Sequence, residues 1–424
     1  MVKERKKTAG KHQHPMILIG IIIILFIFPA IFNKNIAPII LSYKKANKIH
    51  GWLHTKGTKI LDEQNNEITL KGINYSELMP VNYVYQKPDL TNLPEVCKKW
   101  VHPPTPLNAK DINDLGFNTV RLVINWDSLE PQPPVKDYNG NLQHNWNMDY
   151  VKAIDQAITD LKNQNIAVIL DMHQYLWSSA FKYIAGSADG YGCSGSGMPA
   201  WLYPYPDETN FQEARCNFFK GITDKKINID PLTGFKDVWR FIAERYKNND
   251  TVIGADIINE PFTVKNKCSA QDMQLDRFYE ILGKTILQAN PHLLIIFEDS
   301  DEITNGEYAI IKAPNIQNAV YSYHLYSGSW IPNGRARLDA VIARSRQWNV
   351  PLFIGEFDAY LMTDNLYTSP FPDKQTNDAV SMMKYLKENK LSWAIWAYSG
   401  QQSILVPDTA IHKKELVNII KLGF

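Results

Sequence analysis

The feature that most constrains the fold is an alternation repeated along most of the chain. Short apolar, β-type runs are separated by segments with helical spacing. The runs fall at 72–75, 118–125, 166–173, 252–260, 293–298, 319–326, 352–357 and 392–398. Several are apolar throughout rather than alternating, which is how strands buried on both faces read. Helical patterns lie between them at 148–163, 236–247, 271–288, 335–348 and 378–388, and a last one follows at 412–422. Strands alternating with helices make parallel β-α units, and eight of them predict an α/β chain folded as a closed (β/α)8 TIM barrel. After the fifth run a short segment at 307–312 has to serve as the helix. Ahead of the first run, two β-type stretches flank Asn65-Asn66 and predict an N-terminal β-hairpin. The longest interruption, from Gln174 to about Gly234, is a loop insertion after strand 3 rich in Gly, Ser, Pro and aromatic residues. A loop of that length and composition is expected to form an ordered lid or cleft wall.

The first 49 residues stand apart. A basic tail, 1–15, carries Lys3, Arg5, Lys6, Lys7 and Lys11, and the uncharged apolar run 16–32 follows it. A positive flank before an apolar run predicts a transmembrane anchor or a signal segment. The basic side would remain cytoplasmic, leaving a connector at 33–49 and a catalytic region at 50–424 outside. The expected location is therefore the cell membrane, single-pass, with secretion as the alternative. A net charge of +1 gives no reason to expect nucleic acid as a partner. The four cysteines, Cys97, Cys193, Cys216 and Cys268, contain no Cys-x-x-Cys pair of the kind zinc sites use. Cys193 is expected to pair with Cys216, since both lie in the one insertion.

In a barrel of this kind the site gathers at the carboxyl ends of the strands. The second run places Arg121 there, the third Asp171 and His173, the fourth Asn259 and Glu260, the sixth His324 and Tyr326, the seventh Glu356 and the eighth Trp396. Charged groups at the tips of apolar strands are costly unless they are used. Two glutamates on separate strands suit a glycosidic bond, which needs one protonated and one ionised carboxyl facing each other across the sugar. A metal-dependent alternative would need more ligands, typically a His-x-His on the first strand. That strand reads Lys71-Gly72-Ile73-Asn74-Tyr75, so no metal and no cofactor are expected.

As an ordered set, the tips in Asn118-Thr119-Val120-Arg121-Leu122, Leu170-Asp171-Met172-His173, Ile258-Asn259-Glu260-Pro261, Tyr323-His324-Leu325-Tyr326 and Ile354-Gly355-Glu356-Phe357 resemble the family 5 glycoside hydrolases, the cellulase-type members of a large retaining clan. The resemblance spans about 50–424. It implies Glu260 as acid/base and Glu356 as nucleophile of a double displacement. Asn259 would hold the sugar 2-hydroxyl, Arg121 and Tyr326 would keep Glu356 ionised and aligned, His173 and His324 would line the subsite, and Trp396 would form its floor. The implied reaction is hydrolysis of a β-glucan by an endo-acting enzyme, with an oligo- or polysaccharide as substrate. Leu170-Asp171-Met172-His173-Gln174, Met198-Pro199-Ala200-Trp201 and Asn259-Glu260-Pro261-Phe262 are similar to endoglycoceramidase-like members, which implies a glycolipid substrate instead. Those members commonly continue the His-Gln pair with Asp, where this chain has Tyr175. A non-catalytic glycan-binding surface protein would instead be expected to have lost a carboxylate. Trp126, Trp177, Trp201 and Trp330 are candidate sugar-stacking platforms.

Overall fold

The computed structural model describes residues 45–78, 105–175, 177–178, 180, 196–203, 211–222, 229–261, 268, 270–299, 312–326, 334–357, 373–399, 403–405 and 413–424. Eight parallel strands close a barrel: β1 (Lys71–Tyr75), β2 (Thr119–Ile124), β3 (Ala167–Met172), β4 (Val252–Asp256), β5 (Leu294–Glu298), β6 (Ala319–Leu325), β7 (Leu352–Phe357) and β8 (Ser392–Ile395). Closure is made by β8 against β1, with Trp393 opposite Lys71. The unit to which they belong runs from Lys44 to Phe424.

Each strand begins within one residue of the start of its apolar run, but β4 stops at Asp256, four residues short of the run's end. The chain then leaves the ladder, with Ile257 N–H donating to Ile296 O and Asn259 N–H to Met172 O. Helix starts follow their caps. Asp230 accepts from the N–H groups of Leu232 and Thr233 and is followed by Pro231, so that helix is Pro231–Arg245, five residues earlier than hydrophobic spacing alone suggests. The pattern at 271–288 is divided at Gln274, where φ is 47°, into Ala270–Met273 and Leu275–Ala289. A helix that the periodicity did not show, Ala109–Leu115, joins β1 to β2. The helix expected at 307–312 falls almost wholly outside the described residues.

The hairpin is present as Lys59–Leu61 and Glu67–Ile68, the central and one edge strand of a three-stranded antiparallel sheet that His54–Lys56 completes. It brings Ile60, with Leu53, onto Ile169, Ile253, Leu294, Ile296, Val320 and Phe353, a buried apolar cluster separate from the main core between strands and helices. Strand side chains alternate in direction, so the inward face that holds Ile169 on β3 and Ile296 on β5 next presents Asp171 and Glu298.

The insertion departs from expectation in two ways. Cys216 is bonded to Cys268, with Cα atoms 5.7 Å apart, and Cys193 lies outside the described residues. The bond ties the helix Phe211–Phe219 to the segment after β4, a contact between two loops that nearness in sequence does not report. Trp126 and Trp177 are fully buried and so are not stacking platforms. Trp126 donates to Glu130 and packs on Trp201 and Phe235; Trp177 donates to Tyr203 and packs on Phe218. Trp201 is half-buried and donates to Glu130 O, while Trp330 lies outside the described residues. Apolar packing inside the tip loops outweighs exposure to a substrate at these positions.

Candidate active site

Arg121, fully buried on β2, is the hub of the mouth. Its Nη1 donates to Glu356 Oε1 at 2.7 Å and to Asn74 Oδ1 at 3.1 Å, its Nε to Asp256 Oδ2 at 2.8 Å, and its Nη2 to Asn259 Oδ1 at 2.9 Å. Asp171 Oδ1 lies 3.0 Å from the same Nη2. One guanidinium thus faces three buried carboxyls, with Glu298 nearby. Burying that many anions around a single cation is unfavourable, so some of them are expected to retain protons. Burial, opposed by Arg121, pushes the Asp171 and Asp256 carboxyls up to about 7 in each case.

Glu356, at the end of β7, accepts from Arg121 on one oxygen and from the Tyr326 hydroxyl on the other, at 2.7 Å. Both donors act on a carboxylate whose side chain is almost wholly buried. Gly355 beside it has no side chain for a steric reason. A Cβ there would stand 2.7 Å from Ser322 Oγ and 2.8 Å from His324 Nε2, so glycine makes room for the imidazole.

Glu260 sits on strained backbone. Its φ is 42°, the left-handed region that non-glycine residues seldom occupy, at a cost of about 1–3 kcal/mol. Both of its peptide groups are clamped. The N–H donates to Glu298 Oε2 at 2.7 Å, and the carbonyl accepts from Gln174 Nε2 at 2.7 Å. Gln174 also donates to Asn259 O and accepts from Trp177 N–H, which ties the start of the insertion to Glu260. Gly197 lets the insertion return against it, at φ 122°, where a Cβ would fall 2.4 Å from Gln174 Cβ.

The two glutamates meet at His324. Its Nδ1 is 2.9 Å from Glu260 Oε1 and 3.5 Å from Glu356 Oε2. Those two oxygens are therefore no further apart than the sum of these distances, and they face one another across a single imidazole nitrogen. His173 Nδ1 is held by Asp171 Oδ2 at 2.8 Å, and its ring stacks on Trp396 at 5.4 Å and 18°. Burial leads in depressing both imidazoles, His173 to about 4 and His324 to about 3, so both are neutral at ordinary pH. Asn259 spends its Oδ1 on Arg121, while its Nδ2 donates to Gln174 O.

All eight residues expected at the site, Arg121, His173, Asn259, Glu260, His324, Tyr326, Glu356 and Trp396, come together at the mouth. Asn74, Gln174, Asp256 and Glu298 join them there, beyond the strand-tip set that the sequence marks. Glu298 could have been found, because an ionisable residue closing the fifth apolar run is the same signal that marked Glu260 and Glu356. Asp256 was masked by lying inside its run. Among the described residues two groups have donors close enough for a cation, Asp171 with His173 and Glu356, and Glu260 with Glu298 and His324. In both, the donors already serve protein contacts: Arg121 and Tyr326 hold Glu356, and His324 lies between Glu260 and Glu298.

Residues 62–402 match the family described as Cellulase (glycosyl hydrolase family 5). The chain belongs to glycosyl hydrolase family 5. This family 5 chain is 24% identical to an endoglucanase of Paenibacillus polymyxa over 83% of its own length and 81% of that protein. It is 24% identical to an endoglycoceramidase of Cyanea nozakii and 27% identical to one of Hydra vulgaris, covering 69% and 52% of its own length but 60% and 46% of theirs. The solved structure of an endogalactoceramidase shares the fold with a TM-score of 0.65, at 21% identity, covering 88% of this chain and 85% of that one. A hyperthermophilic endocellulase from Pyrococcus horikoshii aligns with a TM-score of 0.54 at 18% identity, covering 88% of this chain and 99% of that one.

Proposed function

We propose that this family 5 chain is a retaining β-glycoside hydrolase, endo-acting on a β-glucan, with Glu260 as acid/base and Glu356 as nucleophile. The observation that carries the reading is the convergence of Glu260 Oε1 and Glu356 Oε2 on His324 Nδ1, at 2.9 and 3.5 Å. In the first step Glu356 attacks the anomeric carbon while Glu260 gives its proton to the departing glycosidic oxygen. Glu260, now a carboxylate, then takes a proton from water, which displaces Glu356 from the sugar. Arg121 and Tyr326 hold the nucleophile in place throughout. Asn259 is the donor for the 2-hydroxyl, and the Trp396 ring over His173 is the subsite floor. The test is proton NMR of the first product: hydrolysis with retained anomeric configuration is expected, and inversion would overturn the assignment.

A second reading, hydrolysis of a glycolipid, draws on the two endoglycoceramidase relatives. A screen of residues 45–424 on β-1,4-glucan, mannan, β-1,3-glucan and a glycosphingolipid separates the two by which polymer or lipid is cleaved. The apolar segment 16–32 supports attachment to a membrane with the barrel on its outer side, and secretion is the alternative. Among the described residues no helix is long and apolar enough to cross a membrane, and 16–32 lies outside them. The Cys216–Cys268 bond fits an oxidising compartment. Protease treatment of intact cells checks the topology.

A further inference from the structure

His324 Nε2 is buried and, among the described residues, has no well-aligned hydrogen-bond partner; Glu298 Oε1 stands 3.1 Å from it. Glu298 itself is only 3% exposed at the tip of β5, and its other oxygen accepts the Glu260 N–H. Proton placement around this ring is constrained. Nδ1 faces oxygens of both Glu260 and Glu356, and a bare lone pair there would repel the carboxylate of Glu356. Nδ1 must then carry the hydrogen of the neutral imidazole, which leaves Nε2 as an acceptor. Two acceptors do not sit 3.1 Å apart without a proton between them. The opposite tautomer would require Glu260 to spend on the imidazole the proton that its leaving group needs.

We infer that Glu298 is a neutral carboxylic acid whose Oε1–H donates to His324 Nε2 and fixes the Nδ1–H tautomer that serves both glutamates. It is a positioning residue, acting through His324, and its role rests on the reading of Glu260 and Glu356 given above. Its surroundings favour the neutral form. Burial leads in holding its carboxyl well above the usual range, Glu260 and Asp256 add to it, and Arg121 works against it. From the helix Leu275–Ala289 the Tyr279 hydroxyl meets its backbone carbonyl at 2.9 Å and brings no charge. A buried carboxylic acid kept neutral so that it can donate is an established device in active sites.

A neutral acid and a glutamine offer the same pattern, one donor and one acceptor, whereas leucine offers neither. E298Q is therefore expected to keep kcat/KM within about threefold of wild type with both limbs of its pH profile in place. E298L should lose about 100-fold, the scale of one misaligned acid–base partner. Its pH profile should be displaced, because His324 is no longer held with Nδ1–H toward the two glutamates. E298Q as impaired as E298L, or with a displaced acid limb, would overturn the inference. If E298L does not fold, infrared spectroscopy decides: the wild-type-minus-E298Q difference at neutral pH is expected to show a protonated carboxyl band, and its absence from that difference overturns the inference. E260A keeps the two readings apart. If E260A turns over poor leaving groups normally, the acid/base assignment fails, whereas the infrared band bears on Glu298 alone.

Discussion

At the amino end of the barrel, Ile169, Leu294, Ile296, Val320 and Phe353 meet Leu53 and Ile60 from the N-terminal segment in a closed apolar floor. One alternation further along β3 and β5 the inward positions hold Asp171 and Glu298, and two further along β6 comes His324, gathered with Arg121, Asp256 and Glu356. Asp171, Glu298, Arg121, Asp256 and Glu356 are as buried as the floor. The floor gains free energy from every side chain it buries, whereas the mouth holds ionised groups out of water by pairing them, which contributes little net stability. Burial at one end serves the fold. At the other it sets protonation states and fixes the geometry of two carboxyls.

The sharpest way to break this division is to exchange the damage done at each end. Glu356→Gln is expected to lower kcat by about 10⁴-fold or more while thermal unfolding holds near wild type. A large fall in melting temperature would show that the mouth also carries stability. Phe353→Ala, on the floor of the same strand, should do the reverse, costing about 3–5 kcal/mol in denaturant unfolding with KM unchanged for the folded fraction. Arg121→Met sits between the two, since it leaves Asp171, Asp256 and Glu356 without their cation. It should cost about 3–5 kcal/mol and abolish activity together. Converting Cys216 and Cys268 to serine removes the tie on the insertion, whose bonded residues are 52 apart, and should cost about 2–4 kcal/mol with a smaller change in kcat.

The smallest expected effect lies on the outer wall of the mouth, where His144 Nδ1 is 2.7 Å from Glu130 and Nε2 is 3.3 Å from Asp237. Burial works against its charge, but Asp237 and Glu130 outweigh it and lift the imidazole to about 9. A raised value means that the folded form holds its proton where the unfolded chain, near 6.5, has lost it. The contribution is complete below about pH 6.5 and disappears as pH rises through about 9. Melting curves of His144→Gln against wild type should differ most at pH 6 and converge above pH 9.

The barrel was legible because its evidence is periodic and local. Apolar runs spaced by helical segments name the strands, and the topology then dictates which ends gather. All eight predicted site residues follow from that, since a polar residue closing an apolar run has one place to go. What misled was reasoning by neighbourhood or composition. Cys193 and Cys216 share one loop, yet Cys216 bonds across to Cys268. Trp126 and Trp177 lie in tip loops, yet they fill the core. A contact between distant segments leaves no mark on either one.

The sequence by itself pointed to the strand order and to the polar strand tips, Glu260 and Glu356 among them, that gather at one end, because alternation and topology need no distances. Tertiary structure alone decided how those glutamates are held. The left-handed turn at Glu260, the space Gly355 leaves for His324, and the single cation shared by Asp171, Asp256 and Glu356 arise where separate strands meet. Protonation there depends on burial and on charges a few ångströms away, and neither can be read along a chain.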